Sequence, residues 1–224
     1  MNFVKLVRFL LNLFDYFQQK KIINFFKKKL ISKLVLFDVG AHHGETVSLF
    51  VKNFNIDKIY CFEASEENFQ ILRDNIKKKK LNNLCQLNNY AAGEEKKNLF
   101  INQTRESSSS SINEFNKNSN YLKKKMKILN FKKFEDFYKK EKIQMIRLND
   151  YIRQKKISKI DILKIDTEGY EVQVLMGAKR ILKKTKLIQI EVLDTKKNYK
   201  KKLKKVLKFL DLYGLELVSK KKIW

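Results

Sequence analysis

Three acidic residues each close a largely apolar run of strand length. Asp38 follows Leu34-Val35-Leu36-Phe37, Glu63 follows Ile59-Tyr60-Cys61-Phe62, and Asp166 follows Ile160 to Ile165. Carboxylates at the ends of adjacent parallel strands meet at one edge of a sheet, where doubly wound folds bind nucleotide-like ligands. An acid after the second strand can accept hydrogen bonds from both hydroxyls of an adenosine ribose. The plainer reading of Glu63 is a surface acid.

The turn after the first run is Asp38-Val39-Gly40-Ala41-His42-His43-Gly44. Gly40 lets the backbone bend and approach a ligand with no Cβ in the way. Gly44 opens the next helix close to the strand, and the amides there form a positive helix end. A dinucleotide fingerprint needs a third glycine at position 42, where His42 stands. A pyrophosphate is therefore poorly served. A ligand carrying an amino-acid carboxylate and a cationic centre suits the turn and Asp38 better. Asn89 and Ala91 follow the third apolar run, where a small residue leaves room for an adenine ring and an amide can bond its edge.

The elements that must position these residues alternate. Strands are expected at 34–39, 57–63, 84–87, 160–166, 187–192 and 215–218. Val47, Phe50, Val51 and Phe54 give one inward helix face, and Phe69, Leu72 and Ile76 a second. Val172, Leu175, Ala178 and Leu182 give a third; Leu203, Val206, Leu207 and Leu210 a fourth, stopped by Gly214. Asn98 to Ile101 is expected to start a hairpin. Ile143 to Arg147 reads as a strand, with Asn149 or Asp150 capping a short helix. This order predicts an α/β fold with a doubly wound, mostly parallel sheet.

Two segments fall outside that rhythm. Residues 1–32 read as an amphipathic helical extension, with Leu6, Phe9, Leu10, Leu13, Phe14 and Phe17 at three-four spacing. Its apolar run is too short to span a bilayer, and no cleavage site follows. It either docks on the domain or a partner, or lies on an anionic membrane. The domain proper is expected over 33–224, with a variable insert at about 104–142. There, Ser107 to Ser111 could close over a ligand as a lid or remain a solvated loop. Phe131, Phe134, Phe137 and Tyr138 suit stacking on a sugar or base, or the inner face of a short helix.

The chain has 224 residues and a formal charge of +26, almost all from lysine, with only six arginines and no proline. Readers of phosphate and base edges favour arginine's planar fork, so the charge alone does not indicate nucleic-acid recognition. It does predict weak contact with polyanions or anionic membranes. Cys61 and Cys85 lie in apolar runs and read as buried thiols of a reducing compartment. The expected location is the cytoplasm, with a peripheral place at the inner membrane as the second option. Without a CxxC or a Cys/His spacing pattern, no dedicated metal site is expected.

The stretch Asp166-Thr167-Glu168-Gly169-Tyr170-Glu171, followed by Val174-Leu175-Met176-Gly177-Ala178, resembles the signature of the FkbM-type S-adenosylmethionine-dependent methyltransferases. So do the Asp38–Gly44 turn, Phe62-Glu63-Ala64, Asn89-x-Ala91-x-Gly93 and Leu187 to Glu191, in the same order. The resemblance covers about residues 34 to 218. It implies a Rossmann-like class I methyltransferase that uses S-adenosyl-L-methionine. By similarity, Asp38, Gly40 and Gly44, with Ala41 and His42 beside them, hold the methionine end. Glu63 holds the ribose, with Ala64 beside it among the cofactor-binding residues. Asp166 faces the sulfonium and the acceptor. The chain departs from the pattern in its two turn histidines, its lysine-rich insert and a seventh strand expected to be short or missing.

Methyl transfer asks for alignment and a proton acceptor. Asp166 is the first candidate for placing or deprotonating an acceptor hydroxyl, unless it only bonds the cofactor's ammonium. His43 is the second, since imidazole titrates near neutral pH, unless it merely flanks the turn. Glu168 and Glu191 could form a hydroxyl- or metal-binding pair. The leading expectation is O-methylation of a sugar or other small-molecule or glycan hydroxyl. An RNA acceptor and a non-catalytic, membrane-associated relative are the alternatives.

Overall fold

The computed structural model describes residues 20–104, 110–112, 123–124, 126–127, 131, 133–134, 136–192 and 199–220. The expected face from Leu6 to Phe17 and the serines Ser107 to Ser109 lie outside these residues.

The central sheet is parallel, in the order β3-β2-β1-β8-β9. Its strands are β1 (Leu34–Val39), β2 (Ile56–Phe62), β3 (Cys85–Asn88), β8 (Ile160–Ile165) and β9 (Thr185–Ile190). Every residue of β1 and β8 is buried, which explains their nearly unbroken apolar runs. Strand alternation then divides the core in two. Leu34 and Leu36 point to one face with Ile59 and Ile162, and Val35, Phe37 and Val39 to the other with Leu163 and Ile165.

Helices cover both faces. On the first lie α1 (residues 20–29), α2 (Glu45–Asn53) and α3 (Glu66–Lys78), through Ile23, Phe26, Val47, Phe50, Leu72 and Ile76. Residues 20–30 therefore dock on this domain, with Ile23, Phe26 and Leu30 buried in its core. On the second lie α4 (Leu148–Gln154), α5 (Glu171–Gly177), α6 (Lys179–Leu182) and α7 (Tyr199–Asp211). Among the described residues no helix is long and apolar enough to cross a membrane.

A second sheet runs β4-β7-β5-β6; the sequence shows parts of β5 and β7, at 98–101 and 143–147, but not that they pair in a sheet of their own. It comprises β4 (Ala91–Ala92), β5 (Lys97–Thr104), β6 (Ser110–Ser111) and β7 (Tyr138–Ile146). β5 and β7 pair antiparallel from Lys97↔Met145 to Thr104↔Tyr138. The end of the expected insert is thus a strand, hidden by a half-exposed run of lysines. Phe137 is fully buried against Phe131, so it is core and not a stacking platform.

Other expectations need correction. Residues 215–218 form no strand, and Leu217 and Val218 are exposed. Asn149 and Asp150 do not cap α4, whose N-cap is Arg147. They lie in its first turn, where Asp150 pairs with Arg147 and the Asn149 side-chain Oδ1 accepts from the Arg180 backbone amide. The helix after β8 breaks at Ala178 into α5 and α6.

Candidate active site

The carboxyl ends of β1, β2 and β8 open into a cavity of about 270 Å³. The second sheet walls its far side through Ala91, Ala92 and Ile101, joined by Ile112. Of the residues singled out in the sequence, Gly40, Ala41, His42, Glu63, Ala64, Ala91 and Asp166 line it.

Glu63 is the best-built member. It is 4% exposed. Its Oε2 accepts from the His42 amide at 2.8 Å and its Oε1 from the Ser65 amide at 3.0 Å. These bonds fix the carboxylate and leave a lone pair on each oxygen for a ligand. Burial pushes its pKa above the ordinary carboxylate range, and the two amides pull against that shift.

The turn places these groups but offers no free amide between residues 40 and 44. The amides of Gly40 and Ala41 both donate to Phe62 O, that of His43 to Glu45 Oε2, and that of Gly44 to Ala41 O. The His42 amide is the one on Glu63. A phosphate would find none of them available. Gly40 has φ +85, and a Cβ there would stand 1.8 Å from the Asp166 carbonyl oxygen. Its glycine is thus required by the close approach of β1 and β8 as much as by any ligand.

Four expected site residues do not reach the cavity. Asp38 faces the α2–α3 side of the sheet beneath the turn, wholly buried, because register sets it opposite Lys164 and Cys61. Gly44 packs toward Leu72 of α3. His43 turns to α3 as well, with Nε2 3.2 Å from Asn68 Oδ1. Asn89 acts behind the wall: its Nδ2 donates to the carbonyls of Glu63 at 3.0 Å and Ala64 at 3.3 Å, holding the β2 end in shape.

The structure adds residues that sequence reasoning passed over. Lys164 lines the cavity floor, with Nζ 3.0 Å from Asp166 Oδ2 and 3.6 Å from Asp38 Oδ1. Burial opposes its charge, but Asp166 and Asp38 together hold its pKa above the usual lysine value. Burial pushes Asp38 up to about 6, against the pull of Lys164. Neither Asp38 oxygen makes a hydrogen bond. A lone lysine inside a fully buried strand was the available signal, since a buried ammonium needs a partner. Thr167 also lines the cavity, and its buried hydroxyl has no hydrogen-bond partner among the described residues.

The signature acids divide their work. Glu168 lines the cavity at φ +48. Glu171 is fully buried outside it, accepting from the Gly169 amide at 2.7 Å and pairing with Lys202 of α7 at 2.8 Å. Glu191 continues β9 beside Ile165 and is not among the residues that line the cavity, whereas its negative charge acts on Lys164 of the floor. Among the described residues the wall carries Glu45, Glu63, Asp166 and Glu168 against a single ammonium, Lys164. In a chain of net charge +26 this hollow is acidic.

The family model of the methyltransferase FkbM domain matches residues 38–217. No curated protein matches the chain. Among solved structures, the fold is similar to methyltransferase FkbM from Methylobacillus flagellatus KT, with a TM-score of 0.53 and 16% identity. That likeness covers 83% of this chain and 39% of the other, so this chain spans well under half of that protein's length. Precorrin-6y C5,15-methyltransferase from Geobacter metallireducens GS-15 aligns at TM-score 0.48 and 14% identity, over 88% and 70% of the two chains. A putative rRNA-methylase from Clostridium thermocellum aligns at 0.46 and 7%, over 86% and 78%. The parallel sheet with helices on both faces is the Rossmann-like fold of class I methyltransferases, and the chain belongs to the FkbM methyltransferase domain family.

Proposed function

We propose that this chain transfers a methyl group from S-adenosyl-L-methionine to a hydroxyl of a sugar or another small molecule or glycan. The observation that carries the reading is the acidic cavity in a strongly basic protein. A cationic sulfonium cofactor suits four carboxylates; a pyrophosphate or phosphodiester does not. The buried Glu63 carboxylate and the unpartnered Thr167 hydroxyl fit such a ligand, because each retains hydrogen-bonding capacity.

In this scheme Glu63 and Ala64 take the ribose, and Ala91 leaves room for the adenine. Gly40, Ala41 and His42 form the wall at the methionine end. When bound, the cofactor supplies an already activated methyl group. The protein's own task is then to align the acceptor oxygen and exclude water, which can lower the barrier by roughly 7–11 kcal/mol. Asp166, tied by Lys164 through Oδ2, is held ready to position an acceptor hydroxyl or take its proton. A base so placed adds about 10²–10⁴-fold. The lysine-rich exterior would add weak, salt-sensitive contact with polyanions or anionic membranes.

Calorimetry of the full chain with S-adenosylhomocysteine tests the cofactor assignment. Wild type should bind, and Glu63→Gln should bind about tenfold more weakly or worse, since a charged acceptor becomes a neutral one. No binding by wild type, or equal affinity in the variant, overturns the assignment. Labelled methyl transfer to sugars and not to RNA is the expected acceptor profile; transfer to RNA alone would refute the acceptor class.

A further inference from the structure

We propose that His42, His43 and Glu45 form a site for a divalent transition-metal ion at the rim of the cavity. The chain has only two histidines, and both are here. Neighbouring residues usually direct their side chains apart, yet the two imidazoles stack, with ring centres 3.7 Å apart and planes at 17°. Both therefore face the same side. Glu45 Oε1 stands 3.2 Å from His42 Nδ1 and 3.9 Å from His43 Nδ1. One ligand atom from each residue lies within 4.8 Å of the others. Ligands held at 2.0–2.1 Å around a tetrahedral ion are roughly 3.3 Å apart, so small side-chain rotations would close the set.

A second shell exists for one ligand. His43 Nε2 lies 3.2 Å from Oδ1 of Asn68, which is 1% exposed. A proton on Nε2 donated to that oxygen leaves the Nδ1 lone pair directed at Glu45. This is how ligand imidazoles are commonly oriented. His42 and Glu45 also line the cavity, so open coordination positions face it. A ligand oxygen entering the cavity there would complete the shell. Two imidazoles select a borderline ion such as Zn²⁺ over Mg²⁺ or Ca²⁺, which require oxygen ligands.

The full chain, freed of metal by a chelator, is titrated with Zn²⁺ by calorimetry. One equivalent should bind, more tightly at pH 7.5 than at pH 5.5, because the ligands must be deprotonated. His43→Ala and Glu45→Gln should each weaken binding about 100-fold, and Asn68→Ala about 10–100-fold. Circular dichroism confirms that the variants are folded. Absence of Zn²⁺ binding in wild type, or equal binding in His43→Ala and Glu45→Gln, overturns the site. S-adenosylhomocysteine binding is measured separately on metal-free wild type, so loss of the cofactor reading and loss of the metal site give different results.

Discussion

Replacing Lys164 by Met should make the stability of this protein depend on pH in a way the wild type does not. Asp38 is wholly buried, makes no hydrogen bond, and has its pKa pushed by burial to about 6, from 3.8. Two units correspond to about 3 kcal/mol of penalty for holding its charge in the fold. Lys164, 3.6 Å away, is the main force resisting a larger shift. A carboxylate with a raised folded-state pKa binds more protons folded than unfolded. Stability therefore falls as pH rises from the unfolded pKa through the folded one, and is flat beyond it.

In the wild type most of that fall is complete near pH 6, so Asp38 costs about 1 kcal/mol between pH 5.5 and 8. Lys164 itself contributes a constant amount there, because its raised pKa matters only as pH rises beyond the ordinary lysine value. In Lys164→Met, Asp38 becomes an unpaired buried carboxyl, a class whose pKa reaches about 8–9. The same interval should then cost about 3 kcal/mol, within a total loss of about 3–5 kcal/mol at pH 8. Urea unfolding of both proteins at the two pH values measures the difference. Adding Asp38→Asn should remove the extra pH dependence. If the variant loses less than about 1 kcal/mol at pH 8, or the same amount at both pH values, Asp38 and Lys164 are not coupled as described.

The remaining predictions concern the scaffold around the site. Gly40→Ala should cost about 3 kcal/mol or more, because its Cβ meets a backbone oxygen at 1.8 Å and φ is +85. A melting temperature within a few degrees of wild type would refute the tight β1–β8 contact. Lys202→Met should cost about 3 kcal/mol by stranding the buried Glu171, and Glu171→Gln in the same chain should recover part of it. No loss in urea unfolding would mean that α7 is held by its apolar face alone.

Much of the fold was legible because its signals are local. A strand buried on both faces must be apolar along its length, and β1 and β8 were recognisable for that reason. Helices covering a sheet need one apolar stripe, which exposed α2, α3 and α7. Parts of β5 and β7 were legible at 98–101 and 143–147, but the stretch 138–142 escaped notice because it is lysine-rich, largely exposed and carries no apolar pattern. Residues 215–218 have strand-forming side chains, but no neighbouring strand accepts their backbone.

At the site, chain position along a strand was readable and side-chain direction was not. Glu63 and Asp166 follow the last strand residue and reach the cavity. Asp38 is still within β1, one residue short of its end, and stays buried beneath the turn. His43 and Gly44 belong to the same turn as His42, yet both pack on α3.

From the order of its residues alone, this chain declares a parallel sheet with acids gathered at one edge. Only the folded molecule decided which acids face the hollow, because strand register and the path of the turn depend on partners far away in sequence. Lys164 shows the difference: its charge is visible in the sequence, but its role comes from Asp38, which lies 126 positions earlier and directly opposite it in the sheet.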